Sequence, residues 1–327
     1  MKTVVDIFVK LGERLHPFGD DDLSREVVSR ACEANHWFTP ADICRAVEAI
    51  RTEFLQRDKL TEWLAGYALP VAEERRVLIV LAGNIPCVGF FDLLCVVASG
   101  HRCVVKFSSK DRVLMEYMIG LLRDIEPAVP IEIYDENARI VFDAVIATGS
   151  DNANRYFRAQ YVGVKTLLRG SRHSVAVLSG QETDAQKAGL SDDIFTYSGL
   201  GCRNVSLLFL PRGYTLSLKQ LHAHPKYRHN YLQNKAMLTI EGRPFVDFGD
   251  ATMVEQTEFP VALSELSCIY YDNMEEVKTW LMAHDNELQC VVAQCLPHCV
   301  AFGRAQSPSL TDYPDREDII TFLTSII

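Results

Sequence analysis

The chain has 327 residues, of which 48% are hydrophobic and 23% are charged, and its formal net charge is −10. This composition is typical of a globular protein with enough apolar material for a sizeable core. The negative charge argues against a nucleic-acid partner, because phosphates require a basic surface. The sequence shows no signal peptide and no long apolar run, so we expect a cytoplasmic protein without a membrane span.

The ten cysteines show no pairing pattern, which indicates reduced thiols. The densest group contains Cys290, Cys295, His298 and Cys299. Zinc sites usually bring their ligands in closely spaced pairs, and this group has no second pair. We therefore expect no metal ion in this protein.

Residues 1–72 form a predicted N-terminal helical segment. Asp22 and Ser24 can cap one helix, and Thr39 followed by Pro40 is typical of the start of another. Nothing in this segment indicates chemistry, so we expect it to contribute packing.

From residue 76 onward, strands, polar turns and helices alternate. Residues 77–81 are a continuous apolar run, which is typical of a strand buried on both faces. The alternation predicts a doubly wound parallel sheet, that is, an α/β Rossmann-type cofactor lobe over residues 73–175. Its other predicted elements are strands at 103–106, 131–134, 142–147 and 164–168 and helices at 91–99 and 152–157.

Two polar turns follow strands of this predicted sheet. Lys106 and Ser108 follow one strand, and Thr148, Gly149 and Ser150 follow another. Ligands bind at the carboxyl ends of parallel strands, and hydroxyl groups at helix N-termini can hold a ribose or a phosphate. Because no G-x-G-x-x-G motif is present, these turns by themselves indicate only a phosphate-bearing ligand.

An α/β catalytic lobe is predicted over residues 176–295, and a C-terminal segment, residues 296–327, is expected to return to the first lobe. Apolar runs predict strands around the second lobe at 174–178, 205–210, 237–240 and 267–271, with helices at 274–283 and 316–326.

Residues 196–206 contain the most distinctive motif of the chain. Cys202 follows Gly199 and Gly201 and precedes Arg203 and Asn204. Glycine allows a sharp turn, and a neighbouring cation favours the thiolate form of a cysteine. The motif predicts an exposed, reactive cysteine, and the alternative is a small buried cysteine beside a tight turn.

Four segments, 82–92, 169–174, 198–204 and 304–314, occur in an order that resembles the acyl-CoA reductase (LuxC-like) branch of the aldehyde dehydrogenase superfamily. The resemblance implies an aldehyde-dehydrogenase-like fold. It also implies that the protein reduces an acyl-CoA thioester to an aldehyde with NADH or NADPH, and that it forms a homo-oligomer.

The resemblance assigns roles to individual residues. Cys202 corresponds to the acyl-accepting nucleophile, and Asn84 corresponds to the amide that stabilises the oxyanion together with the Cys202 backbone N–H. Cofactor contacts are implied for Lys106 and Ser108 at the adenosine ribose, for Gly149 and Ser150 beneath the pyrophosphate or nicotinamide with Thr148 beside them, and for Glu265 at the nicotinamide ribose.

One departure from the superfamily favours reduction over hydrolysis. Hydrolytic aldehyde dehydrogenases carry a glutamate base in a Glu-Leu-Gly-Gly segment, whereas the corresponding residues 167–172 contain no carboxylate. An acyl-cysteine formed here would persist until a hydride or another thiol reached it.

Two alternatives remain at this point. The substrate can be another activated acyl group, either an acyl phosphate or an acyl-carrier protein thioester, or the chain can be a non-catalytic binding module with the same fold. The sequence also leaves open whether Arg169, Arg172, His173 and Arg203 contact a ligand or are structural.

Overall fold

The computed structural model describes residues 3–138, 140–218 and 224–326. The chain divides into two compact units. The first contains Met1–Ser171 and Ser307–Ile327, and the second contains Arg172–Gln306. None of the helices in these described ranges is both long and apolar enough to cross a membrane.

The first unit is built on a five-stranded parallel sheet with the order β3-β2-β1-β4-β5. The strands are β1 (Arg76–Val80), β2 (Arg102–Lys106), β3 (Ile131–Ile133), β4 (Ala144–Thr148) and β5 (Lys165–Arg169). In β1, Val77, Leu78 and Ile79 are fully buried, because helices cover both faces of the sheet. This confirms the predicted doubly wound parallel sheet.

Seven helices of this unit precede or connect the strands. They are α1 (Val4–Arg14), α2 (Asp22–Ala34), α3 (Pro40–Glu53), α4 (Arg57–Leu64), α5 (Phe90–Ser99), α6 (Arg112–Ile125) and α7 (Asp151–Gln160). The predicted cap of α3 is confirmed, since the Thr39 hydroxyl accepts from the Asp42 backbone N–H and Pro40 is the first helical residue. The helices α1 and α2 pack on α6, so the N-terminal helices belong to the same compact unit as the parallel sheet.

The second unit contains a six-stranded sheet with the order β11-β6-β7-β10-β9-β8, parallel except for the β8–β9 pair. Its strands are β6 (His173–Val177), β7 (Val205–Pro211), β8 (Val246–Asp247), β9 (Thr252–Glu255), β10 (Glu265–Tyr271) and β11 (Leu288–Ala293). Its helices are α8 (Asp184–Phe195), α9 (Pro225–Glu241) and α10 (Met274–Ala283). The C-terminal helix α11 (Ile319–Thr324) belongs to the first unit, where it packs on α5.

The prediction of a strand at 237–240 is wrong. These residues are the last turn of α9, which begins with Pro225 and ends at Gly242 with a left-handed backbone. Of the apolar side chains in this run, Leu238 is buried while Ile240 is 80% exposed. An apolar run of this length fits one turn of a helix as well as it fits a strand.

Candidate active site

Cys202 is exposed on a turn immediately before β7. The chain reaches it through a short 3-10 helix, Thr196–Gly199, in which Tyr197 and Ser198 have φ angles of 55° and 54° and Gly199 has a φ of 66°. Left-handed backbone is costly for side chains other than glycine, so the surrounding contacts must hold this turn in place. The exposure of Cys202 rules out the alternative of a small buried cysteine.

The side chain of Asn204 provides most of those contacts. Its amide Nδ2 lies 3.1 Å from the carbonyl oxygens of Asp193 and Ile194 and 2.9 Å from that of Thr196, and donates to them. Its Oδ1 accepts from the Gly201 backbone N–H at 2.8 Å. Asn204 is buried, so these hydrogen bonds are protected from water and fix the turn on the end of α8.

Two further side chains hold the residues next to the thiol. The Ser174 hydroxyl, fully buried at the start of β6, donates to the Cys202 carbonyl at 2.9 Å and lies 3.1 Å from the Cys290 sulfur. The Arg203 Nε donates to the Ala305 carbonyl at 2.7 Å. The backbone on both sides of the Cys202 side chain is therefore anchored within the second unit.

Asp193 is a buried carboxylate beneath this turn. Its two oxygens accept from the backbone N–H groups of Gly303, at 2.7 Å, and Ala305, at 2.9 Å. Burial raises the pKa of Asp193 from 3.8 to about 6, against the opposing effect of the two hydrogen bonds. Asp193 therefore changes its protonation state at a pH of about 6.

Asn84 is exposed on the loop that follows β1 in the first unit. The preceding Gly83 accepts from the Asn35 side-chain amide at 3.2 Å. A Cβ at Gly83 would come within 2.5 Å of the Ser108 hydroxyl, so only glycine lets the Asn84 loop pass this close to the loop after β2.

A buried carboxylate also supports the Asn84 loop. Cys87 has a φ of 56°, and its backbone N–H donates to Asp111 Oδ2 at 2.8 Å. Burial raises the pKa of Asp111 well above 3.8, with the Cys87 hydrogen bond opposing the shift. The second carboxyl oxygen, Oδ1, is buried without a hydrogen-bond partner in the described ranges.

Three neighbouring strand ends bring the sequence-predicted residues of the first unit to one edge of the sheet. Val80 at the end of β1 pairs with Lys106 at the end of β2 and with Ala147 near the end of β4. The last residues of these strands and the loops that follow carry every site residue predicted in this unit, namely Asn84, Lys106, Ser108, Thr148, Gly149 and Ser150.

Lys106 is the last residue of β2, and Ser108 lies in the loop that follows. The Lys106 Nζ lies 3.5 Å from a Glu136 carboxylate oxygen and 4.9 Å from the centre of the Tyr134 ring. The Ser108 hydroxyl accepts from the Lys110 backbone N–H at 3.3 Å. The lysine is half-buried, so it combines a cation with apolar packing of its stem.

The Thr148–Ser150 turn leads from β4 into α7. The Gly149 N–H donates to the Arg169 carbonyl at 3.1 Å, and a Cβ at Gly149 would lie 2.8 Å from the Ala153 Cβ. The Ser150 hydroxyl caps α7 by accepting from the Ala153 N–H at 3.4 Å. The missing Cβ therefore lets the turn pack closely on the first turns of α7, against Ala153 and Phe157. Anions are favoured at the N-terminal end of such a helix.

Arg169 forms a buried ion pair with Asp92 of α5. The two side chains are 5% and 7% exposed, and the pair is held by contacts of 2.8 and 2.9 Å. Of the two roles that the sequence left open for Arg169, the structural one fits this geometry. The segment that departs from the hydrolytic enzymes therefore presents a buried cation and no carboxylate.

Glu265 and His173 lie in the second unit. Glu265 is the first residue of β10, the parallel neighbour of β7, and it accepts from the Gln256 side-chain amide at 3.3 Å. The His173 ring stacks on Phe259 with the centroids 4.1 Å apart, and burial lowers the pKa of His173. Cys202 belongs to this unit, whereas Asn84 and the other five predicted cofactor residues belong to the first.

Each of the ten cysteines is a thiol, not half of a disulfide. Within the described part of the chain, no group of three or more His, Cys, Asp or Glu side chains is arranged to hold a metal ion. In the cysteine- and histidine-rich group at residues 290–299, the Cys295 sulfur contacts the Val177 carbonyl and the Cys299 sulfur contacts the Pro297 carbonyl.

Comparison with known families decides the identity of the chain. The model of the acyl-CoA reductase (LuxC) family matches residues 29–224, which include the Asn84 loop, both polar turns and the Cys202 turn. The chain belongs to this acyl-CoA reductase family. Membership makes the protein an oxidoreductase acting on aldehydes. None of the curated protein sequences is significantly similar to it.

Solved structures with the same fold are aldehyde dehydrogenases. The NAD+ complex of the Bacillus cereus enzyme has 15% identity and a TM-score of 0.59, covering 89% of this chain and 72% of its own. Aldehyde dehydrogenase 21 from Physcomitrella patens, in complex with the reaction product succinate, has 14% identity and a TM-score of 0.62, with coverages of 89% and 72%. The Bartonella henselae enzyme has 12% identity and a TM-score of 0.61, with coverages of 89% and 73%. These similarities confirm the aldehyde-dehydrogenase-like fold of this member of the acyl-CoA reductase family.

Several residues that shape the site were not identified from the sequence. Asn204 was noted as a neighbour of the cysteine, but its role in tying the turn to α8 was not predicted. No local sequence pattern identifies Ser174, Asp111 or Asp193, because their hydrogen bonds join residues that are distant in the sequence. The separation is 28 residues for Ser174, 24 for Asp111 and up to 112 for Asp193.

Proposed function

We propose that this member of the acyl-CoA reductase family reduces an acyl-CoA thioester to an aldehyde, using NADH or NADPH and an acyl group carried on Cys202. The observation that carries the proposal is the exposed Cys202, held on a strained turn by the buried side chains of Asn204 and Ser174. A thiol presented in this way suits attack on a thioester, since the cysteine thiolate is a strong nucleophile near neutral pH.

In the first half of the reaction, the Cys202 sulfur attacks the thioester carbonyl. A bond forms between this sulfur and the acyl carbon, the bond to the CoA sulfur breaks, and the thiol proton leaves with CoA. The tetrahedral intermediate carries negative charge on one oxygen. We assign its stabilisation to the Asn84 side-chain amide and the Cys202 backbone N–H, and each such donor is worth about 3 kcal/mol.

The residues at the carboxyl edge of the first sheet fit a dinucleotide. Gly149 lets the chain turn closely onto the N-terminal end of α7, where the Ser150 hydroxyl and the helix dipole favour a phosphate. Lys106 and Ser108 offer a cation and a hydroxyl at the end of β2, which is separated from β4 by β1, and Glu265 offers a carboxylate for a ribose hydroxyl. The bound nicotinamide supplies the hydride that releases the acyl group from Cys202 as an aldehyde.

Loss of the acyl group to water is disfavoured by the composition of residues 167–172. A hydrolytic enzyme needs a base to activate water next to the acyl-cysteine. This segment carries no carboxylate, and Arg169 within it is neutralised by Asp92. The overall reaction is acyl-CoA + NAD(P)H + H+ → aldehyde + CoA + NAD(P)+.

The test is a comparison of two cysteine variants. Cys202→Ala should reduce acyl-CoA-dependent NAD(P)H oxidation to background, whereas Cys295→Ala, which removes another exposed thiol of the same unit, should retain it. The substrate panel should contain an acyl-CoA, an acyl phosphate and an acyl-carrier protein. Full activity of Cys202→Ala would refute the proposal, and activity only with a substrate other than acyl-CoA would refute the assigned substrate.

A further inference from the structure

A closed set of hydrogen bonds connects the Cys202 turn to a segment about one hundred residues later in the sequence. The Asp193 carboxylate accepts the N–H groups of Gly303 and Ala305, and the Ala305 carbonyl accepts from Arg203 Nε. Asp193 also contributes its backbone carbonyl as an acceptor for Asn204. Both neighbours of the thiol on its C-terminal side are thus tied to one residue of α8.

The packing of α8 makes this arrangement specific. Gly189 lies one helical turn before Asp193 and therefore on the same face of α8. A Cβ at Gly189 would lie 2.8 Å from the Gly303 nitrogen and 2.8 Å from the Phe302 carbonyl carbon. Gly303 has a φ of 80°, which suits glycine. The 302–305 segment can therefore approach the helix closely enough for its N–H groups to reach the carboxylate.

We propose that Asp193 is a positioning residue for Cys202: its ionised carboxylate fixes the 303–305 segment, which holds Arg203 and so keeps the thiol in its reactive orientation. This inference rests on the proposed role of Cys202 as the acyl acceptor. It adds that the reactivity of this cysteine depends on the protonation of a second group, which does not itself touch the substrate.

The groups around Asp193 have opposing effects on its pKa. Burial raises the pKa of Asp193 to about 6, and Asp192 on α8 adds to the rise. The two N–H donors and Arg203 on the turn oppose it, and Arg304 stands between the donors in sequence. An ionised carboxylate accepts both N–H groups, whereas protonation turns one oxygen into an O–H donor and weakens that contact.

The consequence is a pH dependence of Cys202 reactivity beyond the titration of the thiol itself. Above pH 6 the carboxylate holds the segment and the thiol is well placed. As the pH falls through about 6, the segment loosens and the rate falls. The ratio of the wild-type rate to that of an Asp193→Asn variant cancels the titration of the thiol, because both proteins contain the same cysteine.

The experiment measures the rate of Cys202 alkylation by iodoacetamide, read by peptide mass, between about pH 5 and pH 8. The ratio of wild type to Asp193→Asn should be near one at the acid end and should rise through pH 6 to about tenfold at neutral pH. Asp192→Asn is the matched control. Its ratio to Asp193→Asn should show the same rise with the midpoint moved to lower pH, because Asp192 raises the pKa of Asp193.

A second variant tests the same linkage without removing the carboxylate. Gly189→Ala should push the 302–305 segment away from α8 and reproduce the loss of alkylation rate at neutral pH, and it serves if Asp193→Asn does not fold. A flat ratio across the pH range, or a Gly189→Ala protein with the wild-type rate, would overturn the inference. A pH-dependent ratio in a protein that takes no acyl group from acyl-CoA would instead contradict the proposed function and leave the positioning role intact.

Discussion

The Asn84 loop and the Cys202 turn are both strained backbone segments supported by a buried aspartate, and the two aspartates differ in their hydrogen bonds. The loop contains one non-glycine residue with positive φ, Cys87, and the turn is reached through two, Tyr197 and Ser198. Asp111 accepts directly from the loop, whereas the carboxylate of Asp193 accepts from the 303–305 segment that binds Arg203. Asp111 accepts a single backbone N–H and has a second oxygen without a partner in the described ranges, so burial dominates and the neutral acid is favoured. Asp193 accepts two N–H groups, and its pKa of about 6 keeps both charge states accessible.

The two carboxyl groups differ both in burial, which is deeper for Asp111, and in the number of backbone donors, which is larger for Asp193. Burial outweighs the hydrogen bonds at both groups, and at Asp193 the two donors and Arg203 limit the rise of the pKa to about 6. We expect the Cys202 turn to respond to pH near 6, and we expect the carboxyl group that supports the Asn84 loop to keep its proton to higher pH than an ordinary aspartate. The predictions below separate the two regions, beginning with the largest expected effect.

Asn204→Ala should have the largest effect on stability. It leaves the carbonyls of Asp193, Ile194 and Thr196 without this donor, and we expect the free energy of unfolding to fall by about 4 kcal/mol. Asn273→Ala is the matched control, since it removes the exposed N-cap of α10 and should cost about 1 kcal/mol. Urea denaturation measures both, and equal losses in the two variants would show that Asn204 does not anchor the turn.

Asp193→Asn and Asp111→Asn should change the pH dependence of stability in different ranges. Both folded pKa values lie above 3.8, so the folded state binds the proton more tightly and the free energy of unfolding falls as the pH rises towards the folded pKa. For Asp193 this loss ends just above pH 6 and amounts to about 3 kcal/mol, at about 1.4 kcal/mol per pKa unit. For Asp111 the loss continues to higher pH.

The measurement is urea denaturation of wild type and both variants from about pH 4 to pH 8. The stability of wild type relative to Asp193→Asn should decline up to pH 6 and then level off, while its stability relative to Asp111→Asn should continue to decline. Identical pH profiles for the two variants would contradict the difference between the two regions.

Ser174→Ala should have the smallest effect. It removes the hydrogen bond to the Cys202 carbonyl, and we expect a loss of about 1 kcal/mol with a modest fall in the rate of Cys202 alkylation. Ser206→Ala removes a buried hydroxyl that has no hydrogen-bond partner in the described ranges and should lie within about 0.5 kcal/mol of wild type. If Ser206→Ala lowered the free energy of unfolding as much as Ser174→Ala, the specific role of Ser174 would be contradicted.

The fold of the first unit could be predicted because its signals are local. Apolar runs mark β1, β2 and β4, and the helix predicted at 91–99 is α5, which ends at Gly100 with a left-handed backbone. The second unit was predicted less well. The sequence predicts a strand where the structure has the last turn of α9. It does not predict β11, which lies at the edge of its sheet and contains the buried polar residue Gln289.

The candidate site also has features that local sequence predicts and features that it does not. The exposure of Cys202 followed from neighbouring glycines, and the polar strand ends of the first unit followed from the order of strands and turns. The residues that hold these segments could not be predicted from the sequence, because Asp193 and Ala305 are 112 residues apart and nothing in the local sequence pairs them. Sequence patterns identify the groups that can react, whereas long-range packing decides how they are held.

The most direct test of the central claim is intact-mass analysis of the pure protein after anaerobic incubation with a long-chain acyl-CoA, with and without NADPH. We predict an added acyl mass that maps to Cys202, is absent in Cys202→Ala, and is discharged as aldehyde when NADPH is supplied. A wild-type protein that gains no acyl mass and oxidises NADPH only at background would contradict the account. An acyl group mapped to another cysteine would contradict the assignment of Cys202.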